Sequence, residues 1–453
     1  MRTLSSPPGP KGHLLGDNLR EYARDPLGFL SGCAQEYGNV VELHFMGQTL
    51  YLLSDPGLIE YVLVENNRNF SKTRILKRNR RLLGDGLLTS EGEFWRRQRR
   101  LAQPAFHRKR VDAYGDVMVA FAERSLEAWR DGQTLDVHEE MMHLTLEIVA
   151  KCLFDADVGA RATDVGKAMK VALEHFSSQR RLIRIPRRVP TLQNIRFEMA
   201  ARKLDEIVGT IIKNRRKSGE DRGDLLSMLM LAEDDSGERM TDKQLRDEVM
   251  TLFLAGHETT ANALCWTFWL LSLAPDAEAK LAEELERVLD GRSPTMSDLS
   301  NLPYVERVLK ESMRLYPPAW VVGREAIGEC EVGGYRMPAG TTALMSQWVM
   351  HRDPRYHEAP ERFEPDRWTA EYAKALARFA YFPFGGGPRQ CIGAGFAMVE
   401  ALLILATVAQ RYRMDLALGQ KVEPYASITL RPKEGIHLPL VKRSRGGRPK
   451  RLA

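Results

Sequence analysis

The ten residues Phe384-Gly385-Gly386-Gly387-Pro388-Arg389-Gln390-Cys391-Ile392-Gly393 hold the most reactive side chain at the most deliberate spacing in this sequence. Three glycines and a proline make a tight turn without side-chain bulk. The cysteine then stands where an apolar helical pattern starts. A helix N-terminus and its free amides favour thiolate over thiol, and Arg389 adds positive charge nearby. The expectation is a thiolate held ready for a metal. The alternative is a buried, inert cysteine behind a glycine turn.

A second candidate is Ala255-Gly256-His257-Glu258-Thr259-Thr260. Small residues let a flat group or a gas molecule approach a helix backbone. A threonine hydroxyl there bonds a carbonyl one turn back, and an acid beside it relays protons. His257-Glu258 begins a zinc HExxH pattern, but position 261 is alanine, so that reading fails. Glu311 and Arg314 share a helix face at i,i+3; alone they read as a surface ion pair worth ~0–1 kcal/mol. Trp95 and Arg99, at i,i+4, offer an indole N–H and a guanidinium from one face.

Taken together, these stretches resemble the cytochrome P450 family. Phe384, Gly387, Arg389, Cys391 and Gly393 fill every defined position of its haem-binding loop, F-x-x-G-x-R-x-C-x-G. Ala255, Gly256, Glu258 and Thr259 match its A-G-x-[DE]-T segment, and Trp95 with Arg99 matches its W-x-x-x-R helix. Glu311-x-x-Arg314 is followed by Pro365-Asp366-Arg367-Trp368, similar to the family's P-E-R-F segment with Asp366 and Trp368 as departures. The motifs run from Trp95 to Gly393 in family order.

The resemblance implies haem b (iron protoporphyrin IX), with Cys391 as the metal ligand whose thiolate pushes electron density onto the iron. It implies Thr259 and Glu258 as catalytic residues that assist proton delivery. Trp95, Arg99, Ala255, Arg324, Phe384, Arg389 and Gly393 would surround the cofactor, the cationic ones meeting its propionates. Glu311, Arg314 and Arg367 would form a buried network bracing the cysteine loop. By the same analogy, Leu82, Phe176, Phe253, Ala319, Val321, Val322, Ile428 and Thr429 would line the substrate pocket. The implied activity is insertion of one atom of O2 into an apolar organic small molecule, by hydroxylation or epoxidation. The rivals are a peroxygenase or isomerase on the same fold, and a non-catalytic haem sensor or carrier. The 62 residues after Cys391 are too few for a flavin or iron–sulfur domain, so a separate electron donor (ferredoxin, flavodoxin or reductase) is expected. The basic run Trp95 to Arg100 offers it part of a basic docking face, against the plainer reading of a solvated helix face. Arg74, Lys77, Arg78, Arg80 and Arg81 offer an anchor for a substrate carboxylate, against the plainer reading of a solvated basic loop.

These groups need elements to position them. Thr241-x-x-Gln244 is a capping box that opens a helical pattern running to Leu273, roughly 50 Å at about 1.5 Å per residue. Such a helix crosses the whole body. Asn39–Phe45 and Thr49–Leu53 read as a hairpin about Met46-Gly47-Gln48, and Asp55-Pro56 starts a helix reaching Glu65. Helices dominate from Glu91 to Leu289, with breaks at Arg184–Pro190 and Lys217–Gly223. Another helix covers Tyr304–Leu315, Gly333-Gly334 turns a hairpin, His351–Pro388 is irregular, and a last helix runs from Cys391 to Gln410. The fold class is mainly α with a minor β region: a triangular, single-domain, P450-like fold with a long central helix. Residues 1–442 are read as the haem domain and 443–453 as a basic, disordered tail.

Composition fits an ordinary globular chain: 453 residues, 43% hydrophobic and 28% charged. The net charge of +6 is mild, and no nucleic acid is expected as a partner. Five widely spaced cysteines without a CxxC pair argue against a disulfide framework and for a reduced, cytoplasmic setting. No stretch approaches 18 uninterrupted apolar residues, so no transmembrane anchor is expected and the protein reads as soluble.

Overall fold

The structure, a computed structural model, describes residues 6–11, 18–45, 47–77, 79–156, 165–169, 171–172, 175, 189–234, 236–417 and 419–443. Its longer helices are α1 (Pro26–Tyr37), α2 (Gly92–Ala102), α3 (Arg108–Glu127), α4 (Val137–Phe154), α5 (Leu192–Ser218), α6 (Asp242–Leu273), α7 (Pro275–Leu289), α8 (Pro303–Leu315) and α9 (Ala394–Arg411). Helix α6 is the central rod. The Thr241 hydroxyl accepts from Gln244 N–H and the Gln244 side chain accepts from Thr241 N–H, closing the expected capping box. Most of α6 is buried, from Leu245 to Leu271, so it is apolar nearly all round rather than along one stripe. Helix α4 lies closely against it: a Cβ added at Gly256 would stand 3.1 Å from Val149 Cγ2, and Phe154 meets Phe253 edge-on at 5.9 Å. Burying a phenylalanine such as Phe253 contributes roughly 1.5–3 kcal/mol.

The strands are β1 (Val40–Phe45), β2 (Gln48–Leu53), β3 (Phe70–Lys72), β4 (Thr134–Asp136), β5 (Val322–Ala326), β6 (Cys330–Val332), β7 (Tyr335–Met337), β8 (Thr342–Met345), β9 (Tyr412–Met414), β10 (Pro424–Ala426), β11 (Leu430–Pro432) and β12 (His437–Lys442). The largest sheet runs β1-β2-β8-β5-β3. The expected hairpin is there, paired Val40↔Leu53 to Phe45↔Gln48. Alternation sends its two faces into separate apolar clusters. Val40, Tyr51 and Leu53 join one; Val41, Leu43, Leu50 and Leu52 join the other. Strand β3 pairs antiparallel with β5, which sets Lys72 beside Arg324.

The helix expected from Asp55 changes character part-way: α-helix over Pro56–Glu60, then a π turn over Tyr61–Glu65 that lies against the cysteine loop. Helix α9 is long and apolar enough to cross a membrane, yet 61% of it is buried in this fold. Its leucines and alanines join the main core beside α3 and α6. Arg443, the first residue of the expected tail, is tied to the body: its Nε donates to Ala409 O at 2.7 Å and its guanidinium pairs with Glu278. The rest of that tail lies outside the described residues, as do Arg184–Arg188 of one expected helix break.

Candidate functional site

The cysteine loop is shaped by glycines. Gly387 has φ +67°, and a Cβ there would stand 1.8 Å from the Leu63 carbonyl oxygen of the π turn. Only glycine fits both the left-handed backbone and the contact. Gln390 N–H closes on Gly387 O at 3.1 Å, and Cys391 N–H donates to Phe384 O at 3.0 Å. Cys391 is exposed to a solvent-sized probe, although protein encloses its other sides. It therefore stands on the wall of an interior space.

The electrostatics of that sulfur differ from the sequence expectation. Burial pushes the Cys391 thiol up, and the Gly393 amide and Arg99 oppose this without cancelling it. Helix α9 starts at Ala394, beyond the cysteine, and Arg389 faces elsewhere: its Nη1 donates to Phe70 O at 2.7 Å and its guanidinium pairs with Glu91. The nearby cation is Arg99, whose Nη1 donates to Gln390 O at 2.9 Å. Thiolate formation thus belongs to metal binding, which displaces the proton. A soft sulfur donor on an interior wall fits a haem iron.

The second motif occupies the middle of α6. Ala255 is exposed and Thr259 half-buried, in a helix whose other residues are mostly buried. Thr259 Oγ1 donates to Ala255 O at 2.9 Å, the expected back-bond, and Thr260 repeats it to Gly256 O at 3.2 Å. Gly256 is small for another reason than the one expected: Val149 of α4 occupies its side. His257 is fully buried, and burial pushes its imidazole down to about 4. Glu258 is buried too, and burial raises its carboxyl above the ordinary range, with Thr429 and Arg431 opposing.

Positive charge gathers at one end. Lys72 Nζ stands 5.6 Å from the Trp95 ring centroid and the Arg389 guanidinium 5.3 Å. Burial pushes Lys72 down to about 7 and Arg324 down to about 10. Three partly desolvated cations, opposed by Glu91 and, at Lys72, also by Glu248, are costly unless further anions join them. Two propionates suit that need. Sequence reading missed Lys72, because only the β3–β5 pairing brings it to Arg324. In the basic run Trp95–Arg100, Trp95 and Gln98 are buried, Arg97 pairs with Asp234 and Arg96 with Glu93.

Behind the loop, Glu311 and Arg314 are both fully buried, so the surface-pair reading does not hold. Arg314 Nη2 meets Glu311 Oε1 at 2.9 Å, Arg367 Nε meets the same oxygen at 3.0 Å, and Trp368 Nε1 donates to Oε2 at 2.9 Å. The indole that looked like a departure is a working member. Burial pushes Glu311 up, but the two arginines outweigh it and hold its carboxyl low. Arg314 Nη1 also donates to His351 O at 2.8 Å, and His351 Nε2 accepts from Phe382 N–H at 2.9 Å. The network thereby reaches the strand of chain entering the cysteine loop.

The expected pocket residues separate. Leu82 and Phe253 are 0% and 1% exposed and belong to the main core. Ala319, Val321 and Val322 are half-buried, and Ile428 is exposed. Thr429 is buried with its hydroxyl on Glu258. Phe176 lies outside the described residues. The expected carboxylate anchor is largely paired: Arg74 with Glu325, Arg80 with Asp85, Arg81 with Glu198 and Asp205. Arg78 lies outside the described residues.

Comparison with known proteins places this architecture. The profile of the cytochrome P450 family matches residues 7–439. Cyclooctatin synthase of Streptomyces melanosporofaciens is 39% identical, over 93% of this chain and 92% of that protein. Cyclooctat-9-en-7-ol 5-monooxygenase of the same organism is 38% identical, over 88% and 87%. Pentalenene oxygenase of Streptomyces avermitilis is 36% identical, over 93% and 94%. The crystal structure of the cytochrome P450DA haem domain superposes with a TM-score of 0.90 at 28% identity, covering 98% of this chain and 99% of that one.

Proposed function

The chain belongs to the cytochrome P450 family and is a monooxygenase with a haem-iron cofactor, and within that activity we propose that it oxidises an alicyclic, alkene-bearing terpenoid. Its other reactants are O2 and electrons from a redox partner. The observation that carries the substrate class is the likeness to relatives named for cyclooctat-9-en-7-ol and pentalenene over most of both chains. The pairing of Arg74, Arg80 and Arg81 with acids of this chain favours an uncharged substrate over a carboxylate.

Haem iron, when bound, supplies the redox activation of dioxygen. Cys391 Sγ would hold the iron, and Gly385 to Gly387 keep that loop narrow. Lys72, Arg324 and Arg389 with Trp95 would hold the propionates. Arg99 anchors the Gln390 carbonyl and so fixes the residue before the ligand. Ala255 offers the cofactor a face without a long side chain. Thr259 Oγ1, back-bonded to Ala255 O, would bring a hydroxyl to that face, and Glu258, whose carboxyl burial raises above the ordinary range, suits a group that both takes and gives protons. Ala319, Val321 and Val322 exclude water from the substrate side.

Haem b suits a chain without the CxxCH signature of covalent attachment. A ferredoxin, flavodoxin or reductase would serve as donor at the groove of about 380 Å³ behind the loop, lined by Phe384, Gly385 and Gln390 and edged by Lys310 and Arg378. All five cysteines are free thiols, which suits the cytoplasm. Residues 1–442 would form one haem-binding unit, with 443–453 as a basic tail. The test is turnover of cyclooctat-9-en-7-ol, pentalenene and a fatty acid with NADPH, a ferredoxin and its reductase. Oxygenated terpenoid and untouched fatty acid would support the proposal. Fatty-acid products alone, or turnover only with peroxide, would overturn it.

A further inference from the structure

Glu258 does not face the open side of α6, where Ala255 and Thr259 stand. Its Oε1 accepts from the Thr429 hydroxyl at 2.8 Å, in the bend between β10 and β11. That hydroxyl accepts in turn from Asn262 Nδ2 at 3.3 Å, and Asn262 Oδ1 faces His138 Nε2 at 3.1 Å. An amide oxygen only accepts, so His138 carries its proton on Nε2. All three bonds point the same way, from the half-buried His138 near the start of α4 to the buried acid. Such aligned bonds polarise one another.

The bend holding Thr429 is fixed. Trp320 Nε1 donates to Ser427 O at 2.9 Å and Trp266 Nε1 donates to Leu430 O at 3.1 Å. Both indoles are 0% exposed. Leu430 N–H donates to Pro318 O at 2.9 Å, on the other side of the hydroxyl. Thr429 is therefore a stationary donor to Glu258. The direction of that last bond also depends on the acid. An ionised Glu258 requires Thr429 to donate; a protonated one can itself donate to Thr429 Oγ1, which still accepts from Asn262 Nδ2 and must then turn its own proton elsewhere. The charged and titratable groups around this chain are Arg431 from β11, His257 on α6, and Asp136, whose Oδ1 caps α4 and accepts the His138 N–H at 3.0 Å.

We propose that Thr429 is a positioning residue for Glu258: the fixed end of a His138–Asn262–Thr429 chain that latches the acid away from Thr259 and sets how readily it gives up its proton. This rests on the reading of Glu258 as the proton-delivering acid. To pass a proton toward Thr259, on the adjacent side of the helix, the carboxyl has to leave the latch. Neither composition nor motif marks Thr429 for this; it was expected only to touch substrate.

The test uses the holoenzyme and Thr429→Val, which keeps shape and removes the hydroxyl, with Thr429→Ser to restore it. The first readout is the infrared carboxyl band of the resting enzyme that disappears in Glu258→Gln. It is expected to move to higher frequency in Thr429→Val and to return in Thr429→Ser. The second is product formed per NADPH and its solvent isotope effect, expected to change by roughly ten-fold, a fraction of what a general acid supplies. An unmoved band, or a moved band with unchanged product per NADPH, overturns the proposal. If Glu258→Gln itself leaves product per NADPH unchanged, the parent reading falls instead. Should Thr429→Val fail to take up haem, His138→Phe removes the first donor of the chain and is judged on the same two readouts.

Discussion

The Phe382 amide donates to Nε2 of His351 at 2.9 Å, while the His351 carbonyl accepts from Arg314 Nη1 at 2.8 Å. One histidine thus joins the buried Glu311–Arg314 pair to the segment that enters the cysteine loop. Accepting at Nε2 requires a neutral ring. Burial pushes the His351 imidazole well below the ordinary range, with His357, Arg314 and Arg352 adding to the effect.

A pH dependence follows. The folded pKa of His351 lies below its unfolded value of about 6.5, so its contribution is complete above that pH and is lost as pH falls through the folded value. In that window the slope approaches about 1.4 kcal/mol per pH unit for one group. His351→Gln keeps an acceptor and does not titrate. Denaturant unfolding between pH 7 and 4.5 should show a shallower loss for the variant than for the wild type. Parallel curves would contradict the account.

Breaking the Glu311–Arg314 pair should be far worse than losing a surface bridge. Both side chains are 0% exposed, and an uncompensated buried charge costs about 3–5 kcal/mol. Arg314→Lys retains charge but cannot span His351 O, Pro360 O and Arg362 O together with the carboxylate. Haem content and melting temperature of Arg314→Lys and Glu311→Gln should both fall. A fully haem-loaded Glu311→Gln would refute the bracing role.

Gly385 and Gly387 separate backbone strain from collision. Both have positive φ, +70° and +67°. A Cβ at Gly385 meets nothing, whereas at Gly387 it meets the Leu63 carbonyl at 1.8 Å. Gly385→Ala should cost about 1–2 kcal/mol of strain and retain haem. Gly387→Ala should lose haem, since the π turn or the loop must move. Equal haem content in the two would contradict this geometry.

Lys72 should matter to cofactor retention. Its burial beside Arg389 and Arg324 penalises the charge, while its Nζ donates to Leu87 O at 2.6 Å and Ser90 O at 2.8 Å, which hold it in place. Lys72→Met should speed haem transfer to apomyoglobin at pH 7. Unchanged haem retention would remove Lys72 from the cofactor set.

How much of this was legible in the sequence depends on the range of the interactions. The capping box at Thr241, the 40–53 hairpin and the glycine turn before Cys391 are local, and their residue types declare them. The Glu311–Arg314 pair was visible as a helix-face spacing, but its burial was not, because burial depends on the segment from His351 to Trp368 that wraps it. Lys72 was missed, and the contacts of Trp368 and Thr429 went unread, for the same reason. Each acts through a partner supplied by strand pairing or by a distant bend. The thiol of Cys391 was read from a helix dipole, whereas burial outweighs the amide and cation that favour its charge.

The central claim, Cys391 as thiolate ligand to a haem iron, is tested most directly by the carbon monoxide difference spectrum of the reduced protein beside Cys391→Ser. The account predicts a Soret band strongly red-shifted from that of histidine-ligated haem, and its loss in the variant. A histidine-type spectrum in folded protein, or a red-shifted band that survives Cys391→Ser, would contradict it.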